Sequence, residues 1–164
     1  MVEIRRARRS DLDTVIAIYN REVEHSTSTF DTEPRAGRGA VEWFESHASD
    51  AYPLIVADEG GDVVGWASLT PWSPRGAYAR TAEGSLFIRE GDRGRGVGKA
   101  LTQALIEHAR AAGHGVLIAR AETGNEHSRR LLLGAGFRSV GVMRRVGEKF
   151  GRVLDVEILE LQLD

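Results

Sequence analysis

One seven-residue loop, Arg93-Gly94-Arg95-Gly96-Val97-Gly98-Lys99, constrains the fold more than any other feature of this chain. It sits between an apolar segment and a long amphipathic segment. Glycines let the backbone approach a ligand closely, and a helix that begins here directs unpaired N–H groups and a positive dipole end at that ligand. The loop therefore predicts a phosphate site between a strand and a helix.

Two common phosphate-binding loops do not match this spacing. A P-loop requires Ser or Thr directly after its lysine, but Ala100 follows Lys99 here. A dinucleotide fingerprint reads G-x-G-x-x-G with a later acidic residue, whereas these glycines run G-x-G-x-G and the later region is Gly115 to Leu117. NAD binding is disfavoured, and a glycine-rich turn that merely starts a helix is the remaining alternative.

A length of 164 residues with 41% hydrophobic content suits one domain, residues 1–164, and the periodicity along it predicts an α+β fold. The predicted strands are Val2–Ala7, Leu54–Asp58, Val63–Thr70, Glu83–Ile88, Val116–Glu122, Phe137–Arg145 and Val153–Gln162. The predicted helices are one capped by Ser10, a short one near Ala40–Ala48, Gly96–Ala112 and Asn125–Ala135. The order strand, helix, strand around the loop makes a βαβ unit, and the irregular stretch Ser26–Arg38 is a candidate substrate lid.

Composition narrows the classes of function. Lys and Arg total 22 and Asp and Glu 24, so a formal charge of −2 offers no field to attract nucleic acid or a membrane surface. The absence of cysteine excludes thiolate metal sites and cysteine nucleophiles, and the five histidines lack metal-ligand spacing. No apolar run approaches the ~20 residues of a membrane helix. We therefore expect a cytoplasmic protein without a metal, a nucleic-acid partner or a membrane partner.

Arg93, Gly96 and Gly98 match the acyl-CoA loop (Gln or Arg)-x-x-Gly-x-(Gly or Ala), and the chain resembles the GCN5-related N-acetyltransferase (GNAT) superfamily. Other segments are similar to its branch of phosphinothricin acetyltransferases and L-amino-acid N-acyltransferases: Ile18–Asn20, Ser26–Pro34, Pro71–Arg75, Gly147–Arg152 and Leu154–Val156. The resemblance covers nearly the whole chain. It implies a single domain with a central, mostly antiparallel mixed sheet, helices on both faces and a βαβ acyl-CoA site.

The resemblance also implies acetyl-CoA as co-substrate. In such enzymes the strand before the loop, here Leu86, Phe87 and Ile88, binds the pantetheine and the thioester carbonyl through its backbone. The residues that would hold the pyrophosphate are Arg93, Gly94, Arg95, Gly96, Val97, Gly98 and Lys99. Asn125 matches an asparagine that contacts the pantetheine arm, although asparagine is also a common N-cap.

Acylation of an amine by a thioester requires a base, a donor for the carbonyl oxygen and a leaving thiolate. Glu83 matches the glutamate of the branch's Thr-x-Glu segment and is the implied base; the alternative is an exposed strand carboxylate. The N–H of Phe87 or of a neighbour on that strand is the predicted donor. Leu132 stands where many relatives place Tyr or His, so no side chain is assigned to protonate the thiolate.

The less regular segments predict the acceptor pocket. Phe30, Trp72 and Tyr78 could wall it, and Arg75 and Arg80 could bind a carboxylate. Core packing for the aromatic residues and solvated loop charges for the arginines are the alternatives.

The leading hypothesis is therefore acetyl transfer to the primary amine of a small amino acid or analogue, such as phosphinothricin or methionine sulfone or sulfoximine. A GNAT enzyme acting on a protein N-terminus or polyamine, and an acyl-CoA-binding module without turnover, stay open as alternatives. Relatives of this kind often form homodimers, although no periodicity in the chain defines an interface.

Overall fold

The computed structural model describes residues 1–164 and contains one seven-stranded sheet and four α-helices. The strands are β1 (Glu3–Arg6), β2 (Leu54–Glu59), β3 (Asp62–Pro71), β4 (Thr81–Ile88), β5 (Val116–Glu122), β6 (Arg138–Lys149) and β7 (Arg152–Gln162). The helices are α1 (Leu12–His25), α2 (Gly37–Glu45), α3 (Val97–Ala111) and α4 (Glu126–Gly134). The strand order is β1-β2-β3-β4-β5-β7-β6. Only β4 and β5 run parallel, which confirms the predicted mixed, mostly antiparallel sheet.

The predicted βαβ unit is β4–α3–β5. Helix α3 buries Val97, Leu101 and Leu105 against the sheet, since residues four apart lie on one helix face. Gly113 ends the helix region with a φ of +84°, a left-handed conformation that costs glycine little. The glycine-rich loop is thereby fixed at the start of α3, beside the end of β4.

Two apolar cores cover opposite faces of the sheet. Ala67 belongs to the core beneath α3, and its neighbour Trp66 belongs to the core beneath α1. Successive side chains of a strand point to opposite faces, so this alternation assigns a face to each residue of the central strands. Helices on both faces are confirmed. None of the helices combines the length and the apolar character needed to cross a membrane.

Gly60 and Gly61 form the two-residue turn of the hairpin between β2 and β3, with φ values of +64° and +95°. Both being positive is typical of a type I′ turn. The predicted start of the first helix was wrong. Ser10 makes no capping hydrogen bond; instead the N–H of Arg8 donates to Asp11 at 2.6 Å, and a short 3₁₀ turn precedes Leu12.

Candidate active site

Strands β4 and β5 separate soon after they begin. They pair over three residues, from Thr81–Val116 to Glu83–Ile118. Beyond that point β4 stays paired with β3 and β5 stays paired with β7, so a gap opens between them. A cavity of about 1230 Å³ occupies the gap and is lined by residues of both strands.

Alternate residues of β4 direct their backbone groups into this gap. The N–H of Arg89 donates to Val64 of β3, whereas the C=O of Arg80 accepts from Gly115 and Val116 on the other side. Along a strand, the N–H and C=O of successive residues point to opposite sides. Even-numbered residues, among them Leu86 and Ile88, therefore face the gap. The N–H groups of Ser85 and Phe87 point towards β3.

The start of α3 opens onto the same cavity. Gly94 and Gly96 adopt left-handed φ values of +75° and +85°, and a Cβ built on either would meet no atom within 4 Å. The first intrahelical bond runs from Ala100 N to Gly96 O at 3.1 Å. The N–H groups of residues 97–99 therefore have no partner within the helix, which makes this an anion-binding position.

Most of the loop residues predicted to bind phosphate line the cavity: Arg93, Gly94, Gly96, Gly98 and Lys99. The side chains of Arg95 and Val97 do not. Arg95 does not line the cavity; it donates to Asp92 at 3.0 Å and to Glu59 at 2.5 Å. Val97 is buried in the core, because the helix turns its first apolar side chain towards the sheet.

Glu22, near the end of α1, joins the predicted lid segment, Ser26–Arg38, to the glycine-rich loop. Its carboxylate is buried, accepts a hydrogen bond from Arg93, and accepts another from Ser26 Oγ at 2.5 Å. The Nε of Arg93 also donates to Ile88 O at 3.3 Å. The end of α1, the end of β4 and the glycine-rich loop are thus held together by the guanidinium group of Arg93.

A polar stripe crosses the sheet on the face that α1 covers. Ser68 pairs with Ser85, and Thr70 pairs with Glu83, across β3 and β4. The stripe is defined by six cavity-lining residues: Ser68, Thr70, Glu83, Ser85, Arg120 and Glu122. Polar side chains at alternate positions of otherwise apolar strands are the sequence signal that could have revealed it.

Glu83 and Arg120 form a two-point ion pair within this stripe. Arg120 Nε lies 2.5 Å from Glu83 Oε2, and Arg120 Nη2 lies 3.0 Å from Glu83 Oε1. The Glu83 side chain is 14% exposed and that of Arg120 is 52% exposed. A paired fork of this kind fixes the orientation of a carboxylate, while each oxygen keeps a lone pair for another donor.

Aromatic side chains close the other end of the cavity. The ring of Tyr19 lies 5.1 Å from that of Phe87, and the Arg35 guanidinium lies 4.0 Å from the Tyr19 ring centroid. The Tyr19 hydroxyl donates to Asp31 and lies 2.8 Å from Thr29 Oγ1. Burial, and then the hydrogen bond to Asp31, raise the pKa of Tyr19 to about 12, so the phenol is neutral at physiological pH.

Among the residues predicted to bind the acceptor, only Phe30 lines the cavity. Trp72, Arg75, Tyr78 and Arg80 lie before or at the start of β4, where β4 and β5 are still paired and no gap exists. Arg80 donates to Asp164 at 2.5 Å. Trp72 instead packs near Arg120, with the guanidinium carbon 5.8 Å from the ring centroid. The sequence did not single out Tyr19, Glu22, Arg35 or Arg120.

Asn125 stands at the start of α4 and lines the cavity. Its side chain accepts a hydrogen bond from Ser128 N at 3.1 Å, as an N-cap does. Its Nδ2 lies 3.5 Å from Ser28 Oγ in the lid. Leu132, on the same helix, also lines the cavity and offers it only an apolar surface.

The sequence profile of the Acetyltransferase (GNAT) family matches residues 15–137. The chain belongs to the GNAT family. It is 41% identical to an L-methionine sulfoximine/L-methionine sulfone acetyltransferase of Pseudomonas paraeruginosa, over 98% of this chain and 94% of that one. It is 36% identical to a phosphinothricin N-acetyltransferase of Streptomyces coelicolor, over 99% and 96% of the two chains.

A solved structure from Salmonella typhimurium, described as an acetyltransferase with its cofactor acetyl-CoA, superposes with a TM-score of 0.96. The two proteins are 34% identical, and the alignment covers 99% of this chain and 94% of the other. The family and the relatives make this GNAT protein an enzyme of the acyltransferase class, as the sequence predicted.

Proposed function

We propose that this GNAT protein is an acetyl-CoA-dependent N-acetyltransferase. Its acceptor is the primary amine of a small amino acid or analogue, of the phosphinothricin or methionine sulfone and sulfoximine type. The gap that opens after Glu83 and Ile118 carries this proposal, because it connects an anion-binding helix start to a polar stripe with a carboxylate. The names of the relatives support the acceptor class. Since acetyl-CoA is made and used inside cells, we assign the reaction to the cytosol.

Backbone groups of the loop and of β4 fit acetyl-CoA. Open space lies over Gly94 and Gly96, and the N–H groups of residues 97–99 have no helical acceptor for their protons, so a pyrophosphate would be held there. The pantetheine would lie in the gap against the backbone of Leu86 and Ile88. When bound, the co-substrate supplies an acetyl group activated as a thioester.

Glu83 is the proposed general base. An ammonium group must lose a proton before its nitrogen can act as a nucleophile, and a carboxylate can accept that proton directly or through water. The bidentate contact with Arg120 fixes Glu83 at the edge of the gap. Conversion of an ammonium to an amide and of a thioester to a thiol releases one proton overall, and Glu83 is the group through which it leaves.

The carbonyl oxygen that gains negative charge requires a donor in the gap. The alternation along β4 favours the N–H of Leu86 or Ile88, since that of Phe87 points towards β3. A positioned donor of this kind contributes about 3 kcal/mol to the transition state. The nitrogen loses a second proton as the tetrahedral intermediate collapses to the amide. Because Leu132 cannot donate a proton, this second proton reaches the leaving thiolate through water.

An acceptor panel tests the proposed function. Purified protein and acetyl-CoA are combined with L-methionine sulfone, phosphinothricin, spermidine and a peptide with a free N-terminus, and CoA release is measured. We expect kcat/KM for the first two acceptors to exceed that for the others by at least about tenfold. A preference for spermidine or the peptide would support the alternative GNAT hypothesis. Binding of acetyl-CoA without turnover of any amine would support a non-catalytic module.

We also propose a homodimer in which a second copy covers an apolar patch on β6. Val140, Val142 and Val146 are each about half exposed on this strand, which ends the sheet with one unpaired edge. A two-fold axis allows such an edge to pair with itself. Light scattering should give twice the 18.0 kDa mass of the chain, and Val140→Lys should shift the protein towards monomer. A monomeric wild type would exclude the interface.

A further inference from the structure

The guanidinium group of Arg120 has unused hydrogen-bond donors that face the cavity. Of the five N–H bonds of an arginine side chain, Glu83 takes one at Nε and one at Nη2. Three N–H bonds, at Nη1 and Nη2, remain without a partner in the chain. More than half of the side chain is exposed, so a ligand in the cavity can reach them.

Glu83 and Arg120 together present a negative and a positive group side by side. An α-amino acid carries the opposite pair, with its ammonium nitrogen and carboxylate carbon only about 2.5 Å apart. An ammonium placed against Glu83 therefore brings the carboxylate of the same molecule next to Arg120. Each charged group of the substrate then lies beside a protein group of opposite charge. The planar guanidinium of Arg120 can bind the carboxylate of Glu83 and that of the substrate at once.

Three other arginine and lysine side chains line the cavity, and none of them forms an ion pair with Glu83: Arg35, Arg93 and Lys99. Arg35 lies between the rings of Tyr19 and Trp43, with its guanidinium carbon 4.0 and 4.6 Å from their centroids, and its Nη1 is buried without a hydrogen-bond partner. Arg93 pairs with the buried Glu22, and Lys99 belongs to the anion-binding start of α3. Arg120 is thus the cation beside the proposed base.

We propose that Arg120 binds the α-carboxylate of the acceptor and so makes the enzyme selective for α-amino acids over plain amines. This proposal rests on the proposed function, because it names the acceptor group that the same site recognises. It assigns the carboxylate to a residue on β5 instead of Arg75 or Arg80. Binding of the carboxylate also turns the amine towards Glu83.

Calorimetry with two probes tests the assignment. L-methionine sulfone and 3-(methylsulfonyl)propan-1-amine differ only in the α-carboxylate, and each is titrated into protein saturated with CoA, which cannot react. For Arg120→Met, we expect the Kd of the sulfone to rise at least about tenfold and that of the amine to change less than about twofold. Arg120→Lys keeps the positive charge but loses the planar guanidinium group, so its Kd for the sulfone should lie between those of Arg120→Met and the wild type.

Arg138→Met is the matched control, because Arg138 also joins a glutamate of the neighbouring strand, Glu160, but lies outside the cavity. Its Kd for both probes should equal that of the wild type. The proposal would be overturned if Arg120→Met raised the Kd of both probes equally or raised neither. It would also be overturned if the wild type bound neither methionine sulfone nor phosphinothricin. A wild type that binds the sulfone in the expected way yet releases no CoA from acetyl-CoA refutes only the proposed function.

Discussion

Glu83 belongs to the last residue pair of β4 and β5, and Arg120 lies on β5 two residues beyond that pair. Both carboxylate oxygens of Glu83 accept a hydrogen bond from the Arg120 guanidinium group, at 2.5 and 3.0 Å. The pair stands where the two strands begin to separate. Because two contacts restrain the carboxylate, its position at the edge of the gap does not depend on a bound ligand. The site is therefore organised before substrates bind.

Replacing the proposed base should slow acylation most at low pH. For Glu83→Gln we expect a fall in kcat of about a hundredfold or more near pH 6, shrinking towards pH 9, because the amine is increasingly neutral there. CoA release measured between about pH 6 and pH 9 checks this. Glu160→Gln, at a matched ion pair on β7, should keep the wild-type profile. Parallel profiles for Glu83→Gln and wild type would remove Glu83 from this role.

Substitution of Gly96 should weaken acetyl-CoA binding. Gly96 has a φ of +85°, a left-handed backbone conformation that costs a residue with a side chain about 1–2 kcal/mol. We expect Gly96→Val to lower the free energy of unfolding by about this amount and to raise the Kd for acetyl-CoA. Gly96→Asn separates the two effects, since asparagine tolerates this conformation but still covers the backbone. Unchanged affinity in both variants would contradict the loop assignment.

The contact between Phe30 and Gly147 should fix the position of the predicted lid, Ser26–Arg38. A Cβ built at Gly147 would overlap the ring of Phe30, which lines the cavity. We expect Gly147→Ala to raise the KM for the acceptor while leaving that for acetyl-CoA nearly unchanged. The free energy of unfolding should fall by about 1 kcal/mol, the low end for overpacking, because the Phe30 ring is exposed and can shift. A double variant with Phe30→Leu should recover part of both losses. Strictly additive effects would show that this contact does not position the lid.

His47 should make stability depend on pH. Its Nδ1 lies 3.0 Å from Tyr52 O, its Nε2 is buried without a partner, and burial lowers its pKa from the ordinary 6.5. The unfolded chain then holds the proton more tightly than the folded one, so stability is lost as the pH falls below about 6.5. His47→Asn should lose less free energy of unfolding between about pH 7 and pH 5, measured by denaturant titration. An equal loss would exclude His47 as the cause.

Local sequence patterns predicted most of the elements correctly. Val97, Leu101 and Leu105 recur at the helical spacing, and the glycines at 60, 61 and 113 occupy positions where φ is positive. Both signals are short-range, because they depend on residues within about one or two turns of each other. The helix start at Ser10 failed for a local reason too, since Asp11 satisfied the nearby N–H instead.

The candidate site was predicted only in part. Residue type and spacing indicated the glycine-rich loop and Glu83, and Glu83 and most of the loop residues line the cavity. Arg120 could not be paired with Glu83 from the sequence, because the two are 37 residues apart and meet only through the register of β4 and β5. Arg95 shows the converse: its type fits a phosphate site, but neighbouring carboxylates hold it outside the cavity.

By itself, the sequence determined the order of strands and helices and the glycine-rich start of α3, because periodicity and backbone conformation are properties of short stretches. Only the tertiary structure decided where β4 and β5 separate, which backbone groups face that gap, and which charges meet beside it. Those outcomes depend on strand register and packing between residues far apart in the chain, and no local pattern encodes them.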